Sequence, residues 1–62
     1  MKNYLFEIVG EYSELCGETF FVQADNREKA NEILAEYFKG EKIRFLGVYS
    51  DTEAEMMGYD TY

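Results

Sequence analysis

The chain has 62 residues, of which 13 are acidic and 6 are basic, and its net charge at pH 7 is −7. This length allows one domain at most, and the 47% apolar and 18% aromatic residues are typical of a folded protein. The negative charge argues against direct binding to nucleic acid or to an anionic membrane, because both would repel the protein. It favours a partner with a basic surface, although an acidic excess also keeps small proteins soluble.

The sequence contains no feature of a secreted or membrane protein. Its single cysteine, Cys16, cannot form a disulfide within the chain. The apolar stretch near the N terminus is too short for a secretion signal, and no run approaches the ~18 apolar residues of a membrane span. We therefore expect a cytoplasmic protein, either bacterial or made by a phage or plasmid in a bacterial host.

The first two predicted elements are strands joined by a long loop. Residues 3–9 alternate, so that Tyr4 and Phe6 share one face and Leu5 lies on the other. Residues 18–24 alternate in the same way, and the segment between the two strands begins and ends with glycine, which favours a hairpin. The position of Tyr12 would allow the first strand to continue into that segment.

An amphipathic helix is predicted after the second strand. Asp25 is a suitable N-cap because Glu28 follows three residues later, and Asn26 is the alternative cap. Apolar residues then recur at helical spacing, and Gly40 is expected just beyond the last helical residue. The residues of the apolar helix face are Ala30, Ile33, Leu34, Tyr37 and Phe38.

Residues 42–49 are predicted to form a third strand with apolar side chains on both faces. A right-handed crossover through the helix places this strand beside the first and parallel to the second. The prediction is an α+β fold, β-β-α-β, in which residues 1–49 form a three-stranded antiparallel sheet in the order 2-1-3 with one helix on one face. Leu5, Val9, Phe21 and, depending on the orientation of the third strand, Phe45 would remain on the uncovered face.

The stretch FFVQADNREKANEI, residues 20–33, resembles small proteins carried on mobile elements, such as the DpnD/PcfM-like group. In those proteins, too, an apolar strand leads through alanine and a short polar cap into an acidic helix with the pattern A-x-x-I. The resemblance implies phage or plasmid biology. It implies no catalytic or binding residue, because the group has no settled activity.

The side chains needed for most catalytic and metal sites are missing. There is no histidine, so neither a Ser-His nor a Cys-His pair can form. Asp51, Glu53 and Glu55 have the spacing of the first ligands in an EF-hand loop, but Met56 stands where that loop requires glycine and Tyr62 where it requires glutamate. We therefore expect no enzymatic activity, no metal and no cofactor.

The excess negative charge is concentrated in the first loop and in the C-terminal tail, residues 50–62. The loop contributes Glu11, Glu14 and Glu18, and the tail has four carboxylates and no basic residue. The predicted topology places the start of the tail at the end of the sheet opposite the loop. The two acidic segments would then flank the sheet, unless the tail doubles back.

Two interpretations of the tail remain open at this point. Ser50 and Glu53 have the spacing of a capping box, which favours one or two helical turns before Gly58. In the first interpretation, Met57, Tyr59 and Tyr62 cover the open sheet face and the carboxylates only keep the tail solvated. In the second, the tail is a binding surface, because tyrosine supplies rigid contact area and carboxylates bind arginine.

The sequence therefore predicts a small, acidic, non-catalytic binding protein that occupies a basic, nucleic-acid-binding surface of a larger protein. By analogy with proteins of this size and charge, an anti-restriction or anti-CRISPR role would fit. The alternative is a homodimeric structural or regulatory module, since an uncovered sheet face would be apolar. The predicted partner-binding residues are Asp51, Glu53, Glu55, Tyr59, Asp60, Tyr62, Glu11, Glu14 and Glu18.

Overall fold

The computed structural model describes all 62 residues. The four strands form a single sheet in the order β3-β1-β2-β4. Neither helix has the length and apolar character needed to span a bilayer. The elements along the chain are β1 (Lys2–Ile8), β2 (Thr19–Ala24), α1 (Arg27–Tyr37), β3 (Ile43–Tyr49), α2 (Asp51–Met57) and β4 (Asp60–Thr61).

The α+β class is confirmed, and β1 lies between β2 and β3 and pairs antiparallel with both. The prediction of three strands and one helix is wrong, because the tail adds α2 and β4. β4 pairs with β2 in the parallel direction, so the sheet is mixed rather than antiparallel. The tail is thus bonded into the same sheet as residues 1–49.

Helix α1 is capped by Asn26, the alternative cap, and not by Asp25. The side-chain oxygen of Asn26 accepts a hydrogen bond of 2.9 Å from the backbone N–H of Lys29, and the backbone of Asn26 is extended. The helix ends at Tyr37, two residues earlier than expected, and Gly40 follows in a left-handed conformation with φ of 86°.

The main core lies between α1 and one face of the sheet. Alternating side chains of β1 and β2 meet the buried side of α1, which lies over β2 rather than over β3. Tyr37 does not join this core and is 63% exposed, contrary to its assignment to the apolar helix face. The buried residues of the core are Tyr4, Phe6, Ile8, Phe20, Val22, Ala24, Ala30 and Leu34, and Ile33, Phe38 and Ile43 pack against them.

Strand β3 contains a bulge that determines which of its side chains face α1. Leu5 lies opposite Gly47 and Phe6 lies opposite Phe45, which leaves Leu46 as an extra residue. Phe45 therefore lies on the face that carries α1, and its ring centroid is 5.7 Å from that of Phe6. The expectation that Phe45 could remain on the second face is wrong for this reason.

The second face of the sheet is covered by the tail. Helix α2 leads from the end of β3, at one edge of the sheet, towards β4 at the other edge. Leu5 and Phe21 are both buried on this face. The rings of Tyr49 and Tyr59 each lie 6.0 Å from the ring of Phe21, so the tail and the end of β3 supply the cover that α1 supplies on the other side.

Candidate protein-binding surface

The first turn of α2 is built on the capping box that the sequence predicts. The hydroxyl of Ser50 accepts a hydrogen bond of 3.2 Å from the backbone N–H of Glu53, and the Glu53 carboxylate accepts one of 3.3 Å from the backbone N–H of Ser50. The helix ends at Gly58, whose φ of 73° is in the left-handed region. Glu53, a predicted binding residue, is therefore engaged in forming the helix.

Asp51 also has an internal partner. Its Oδ1 accepts a 2.7 Å hydrogen bond from Nδ2 of Asn3, the one polar residue that is buried in the sheet. Asn3 Nδ2 also donates to the backbone carbonyl of Tyr49 at 3.3 Å. Of the three acidic residues on α2, only Glu55 has a side chain without a hydrogen bond within the protein.

The acidic residues of α2 lie along a short helix and not in a metal-binding loop. No group of three or more cysteine or acidic side chains is arranged to hold a metal ion. Met57 is 38% exposed and Met56 is 83% exposed, so Met57 is the less exposed of the two methionines of α2.

Strand β4 carries the end of the chain back to the hairpin loop. The backbone N–H of Tyr62 donates to the carbonyl of Phe21 at 2.8 Å, and the N–H of Gln23 donates to the carbonyl of Tyr62 at 2.9 Å. Asp60 lies opposite Phe20, near the start of β2 and hence next to the loop. The tail thus doubles back, and the two acidic segments are not confined to opposite ends of the sheet.

Tyr59 and Tyr62 lie on different faces of the sheet. Tyr62 packs on the face of α1, with its ring 5.5 Å from Phe20 and 5.1 Å from Phe38, edge-on to both. Tyr59 packs against Phe21 on the second face. The prediction that both tyrosines cover the open face is wrong for Tyr62, because residues three positions apart along an extended chain point to opposite faces.

One depression joins the acidic loop to the acidic tail. Glu18 and Asp60 both line it, its volume is about 280 Å³, and no basic residue contributes to it. Its remaining lining is mostly apolar: Ile8, Leu15, Thr19, Phe20, Phe38 and Tyr62. We call this the Glu18–Asp60 depression.

The predicted acidic binding residues are not neutralised within the protein. The chain forms two ion pairs, Lys29 with Glu32 and Arg44 with Glu7, and neither of them involves the acidic loop or the tail. Lys42 lines a second depression together with Glu11 without forming an ion pair. Asp51 and Glu53 are engaged in hydrogen bonds within the protein, so the acids that remain available to an external cation are Glu11, Glu14, Glu18, Glu55 and Asp60.

The hairpin loop presents an aromatic side chain at a position where the first strand could have continued. β1 ends at Ile8, and Tyr12 lies in a turn with its side chain fully exposed. The loop is folded by its own backbone hydrogen bonds, including those from Ser13 N–H to the Gly10 carbonyl and from Gly17 N–H to the Ile8 carbonyl. The order Glu-Tyr-Ser-Glu-Leu between two glycines was the signal that these residues project outward together.

Comparisons with known proteins do not assign this chain to a family. A scan against protein-family models, a search of curated proteins and a search of solved structures each found no match. The resemblance of residues 20–33 to the DpnD/PcfM-like group therefore stays a prediction.

Proposed function

We propose that this protein is a non-catalytic binding protein whose carboxylates occupy a basic, nucleic-acid-binding surface on a larger protein, in a bacterial cytoplasm. An anti-restriction or anti-CRISPR factor of a phage or plasmid is the class that this activity would fit. The observation that supports the proposal most is the Glu18–Asp60 depression, where two carboxylates share one rim and no cation neutralises them.

The lining of this depression suits an arginine or lysine side chain. The aliphatic stem of such a residue would pack on Phe20, Leu15 and Tyr62, while its charged head would reach Glu18 and Asp60. Proteins that bind nucleic acid expose arginine and lysine to contact the phosphates. A surface that accepts those side chains would compete directly with the nucleic acid.

The acids that we expect to make this contact are the ones without an internal role. Glu11, Glu14, Glu18 and Asp60 lie at the loop end of the sheet, and none of them makes a side-chain hydrogen bond within the protein. Tyr12 lies among them and adds exposed aromatic area. Asp51 and Glu53 belong instead to the hydrogen bonds that hold α2.

The proposal is tested by capture from a bacterial lysate followed by competition with nucleic acid. The test variant carries Glu11, Glu14 and Glu18 changed to Gln and Asp60 changed to Asn. The control variant carries Gln at Glu28, Glu32 and Glu36 and Asn at Asp25, four acidic positions on or next to α1. Each variant loses four negative charges, so both have a net charge of −3 instead of −7.

We expect the native protein and the control variant to capture a nucleic-acid-binding protein that added DNA or RNA displaces. The loop-end variant should capture at least about tenfold less, since several charge-assisted contacts are lost. The proposal fails if the captured proteins keep their nucleic acid, or if the two variants lose capture equally. Truncation after Tyr49 would be a poorer test, because it also removes a strand of the sheet.

The alternative of a homodimer was based on an uncovered apolar face of the sheet, and the structure has no such face. Leu5 and Phe21, which would form that face, are covered by the tail of the same chain. No observation favours pairing of two copies through this face.

A further inference from the structure

The outer edge of β3 is open. β3 lies at one end of the strand order and pairs only with β1, so its outward backbone N–H and C=O groups have no strand partner. Three apolar side chains lie along it and are partly exposed: Phe45 at 38%, Leu46 at 40% and Val48 at 48%. An edge strand with unpaired backbone groups and exposed apolar side chains can pair with another extended strand.

We propose that a second copy of this chain occupies this edge, with β3 of each copy pairing antiparallel about a two-fold axis. The two four-stranded sheets would then form one sheet of eight strands. This inference goes beyond the proposed function and uses a different part of the surface.

The pattern of faces along β3 selects a register for this pairing. Side chains directly opposite one another in an antiparallel pair share a face. Because of the bulge at Leu46, Phe45 and Val48 lie on the α1 face although they are three positions apart, while Arg44 and Tyr49 lie on the second face. Each paired side chain lies on the same face as its partner when Phe45 is opposite Val48 of the second copy. In this register Arg44 is opposite Tyr49 of the second copy.

The same register also brings opposite charges together. It brings Lys42, before the start of β3, next to the first residue of α2 in the second copy, Asp51; Oδ1 of Asp51 is held by Asn3, so Oδ2 is the oxygen that would accept from Lys42. Lys42 is exposed and takes part in neither ion pair of the monomer. Two-fold symmetry forms this contact twice. At each end of the new strand pair, Lys42 of one copy therefore faces Asp51 of the other.

The edge of β3 and the Glu18–Asp60 depression lie at opposite sides of the sheet, since β4 is the last strand at the other edge. Pairing through β3 therefore leaves both depressions of the dimer open. The dimer is measured on the protein alone, so its failure would leave the proposed function untouched, and the reverse also holds.

Sedimentation equilibrium from micromolar to millimolar concentration tests the pairing. We expect the mass of the native protein to rise from 7.3 kDa to about twice that value as the concentration increases. Val48→Lys places an ammonium group against Phe45 of the second copy and should weaken association at least about tenfold. Met56→Lys, at an exposed apolar residue of α2 that lies neither on β3 nor in the Glu18–Asp60 depression, should associate like the native protein.

Cross-linking tests the geometry. In a Cys16→Ser background, Leu46→Cys lies next to the two-fold axis and should form a disulfide between copies on mild oxidation, whereas Leu15→Cys should not. Circular dichroism of each variant shows that it is folded. The proposal is overturned by a constant mass of 7.3 kDa up to millimolar concentration, by a dimer that tolerates Val48→Lys, or by equal cross-linking at both positions.

Discussion

Asn3 and Asp51 are joined by a 2.7 Å hydrogen bond from Nδ2 to Oδ1, although they are 48 residues apart in the chain. The bond links the start of β1 to the first residue of α2. Asn3 is buried, so its amide depends on this contact and on the Tyr49 carbonyl for its hydrogen bonds. The tail is thus attached to the sheet at its beginning by a buried polar group.

Asp51→Ala is expected to destabilise the protein by about 1–2 kcal/mol, because it removes the charge-assisted bond to Asn3 and a negative charge at the start of α2. Urea unfolding followed by circular dichroism measures the change. Glu55→Ala, on the same helix and without a hydrogen bond, is the control and should unfold like the native protein. Equal stability of the two variants would show that the Asn3 contact contributes nothing.

Ser50→Ala is expected to cost about 1 kcal/mol, since it leaves the N–H of Glu53 without its capping acceptor. Thr52→Ala, two residues later and without a side-chain hydrogen bond, should leave the free energy of unfolding nearly unchanged. Thermal unfolding of the two variants provides the comparison. A Ser50→Ala protein as stable as Thr52→Ala would contradict the capping role.

Gly58→Ala is expected to destabilise the protein by about 1 kcal/mol through its backbone alone. The φ of Gly58 is 73°, and no atom beyond the adjoining residues lies within 4 Å of the position of an added Cβ, so only the left-handed conformation is penalised. Gly10 has ordinary φ and room for a methyl group. The midpoint of urea unfolding of Gly10→Ala should therefore be equal to that of the native protein or above it. A larger loss of stability at Gly10 than at Gly58 would refute this account.

Tyr62→Ala is expected to cost about 1–2 kcal/mol, because the ring packs edge-on against Phe20 and Phe38 at the open end of the core. Tyr12→Ala removes an equally large ring that touches nothing, and no change in unfolding is expected. If both variants unfold alike, Tyr62 does not fasten the C terminus to the sheet.

The strands and α1 could be predicted from the sequence because their signals are local. Alternation in residues 3–9 and 42–49 located β1 and β3 to within one residue at each end. The capping pair Ser50 and Glu53 likewise indicated α2. Each of these signals depends on neighbours within a few positions, which the sequence displays directly.

Strand β4 could not be predicted because it has no local signal, and the bulge in β3 has only a weak one, an isolated glycine within the strand. β4 consists of Asp60 and Thr61, too few residues to show alternation, and it exists because Phe21 and Gln23 on the edge of β2 offer free backbone groups. The bulge shows only as Gly47, where the Tyr49 ring passes 3.2 Å from the position of an added Cβ.

The candidate site, too, could be predicted only in part, because it depends on contacts between residues far apart in the chain. The acidic character of the loop and tail was visible in the composition of each segment. That Glu18 and Asp60 share one depression depends on β4 pairing with the start of β2, which brings together residues that are far apart in the chain. The sequence therefore indicated which side chains carry the charge, but not which of them lie together.

The double variant Glu18→Gln with Asp60→Asn separates binding from stability at the Glu18–Asp60 depression. Neither side chain has an ion-pair or hydrogen-bond partner in the monomer, so removing both charges should leave the midpoint of urea unfolding unchanged or slightly raised by relief of like-charge repulsion. Binding to a captured basic partner should fall about tenfold or more at low salt, and the difference from the native protein should shrink as salt is raised. Glu32→Gln with Glu36→Gln removes the same charge from α1 and should bind like the native protein. A double variant at the depression that retains native affinity would show that the partner's cations are held elsewhere, whereas one that unfolds early would show that these carboxylates support the fold.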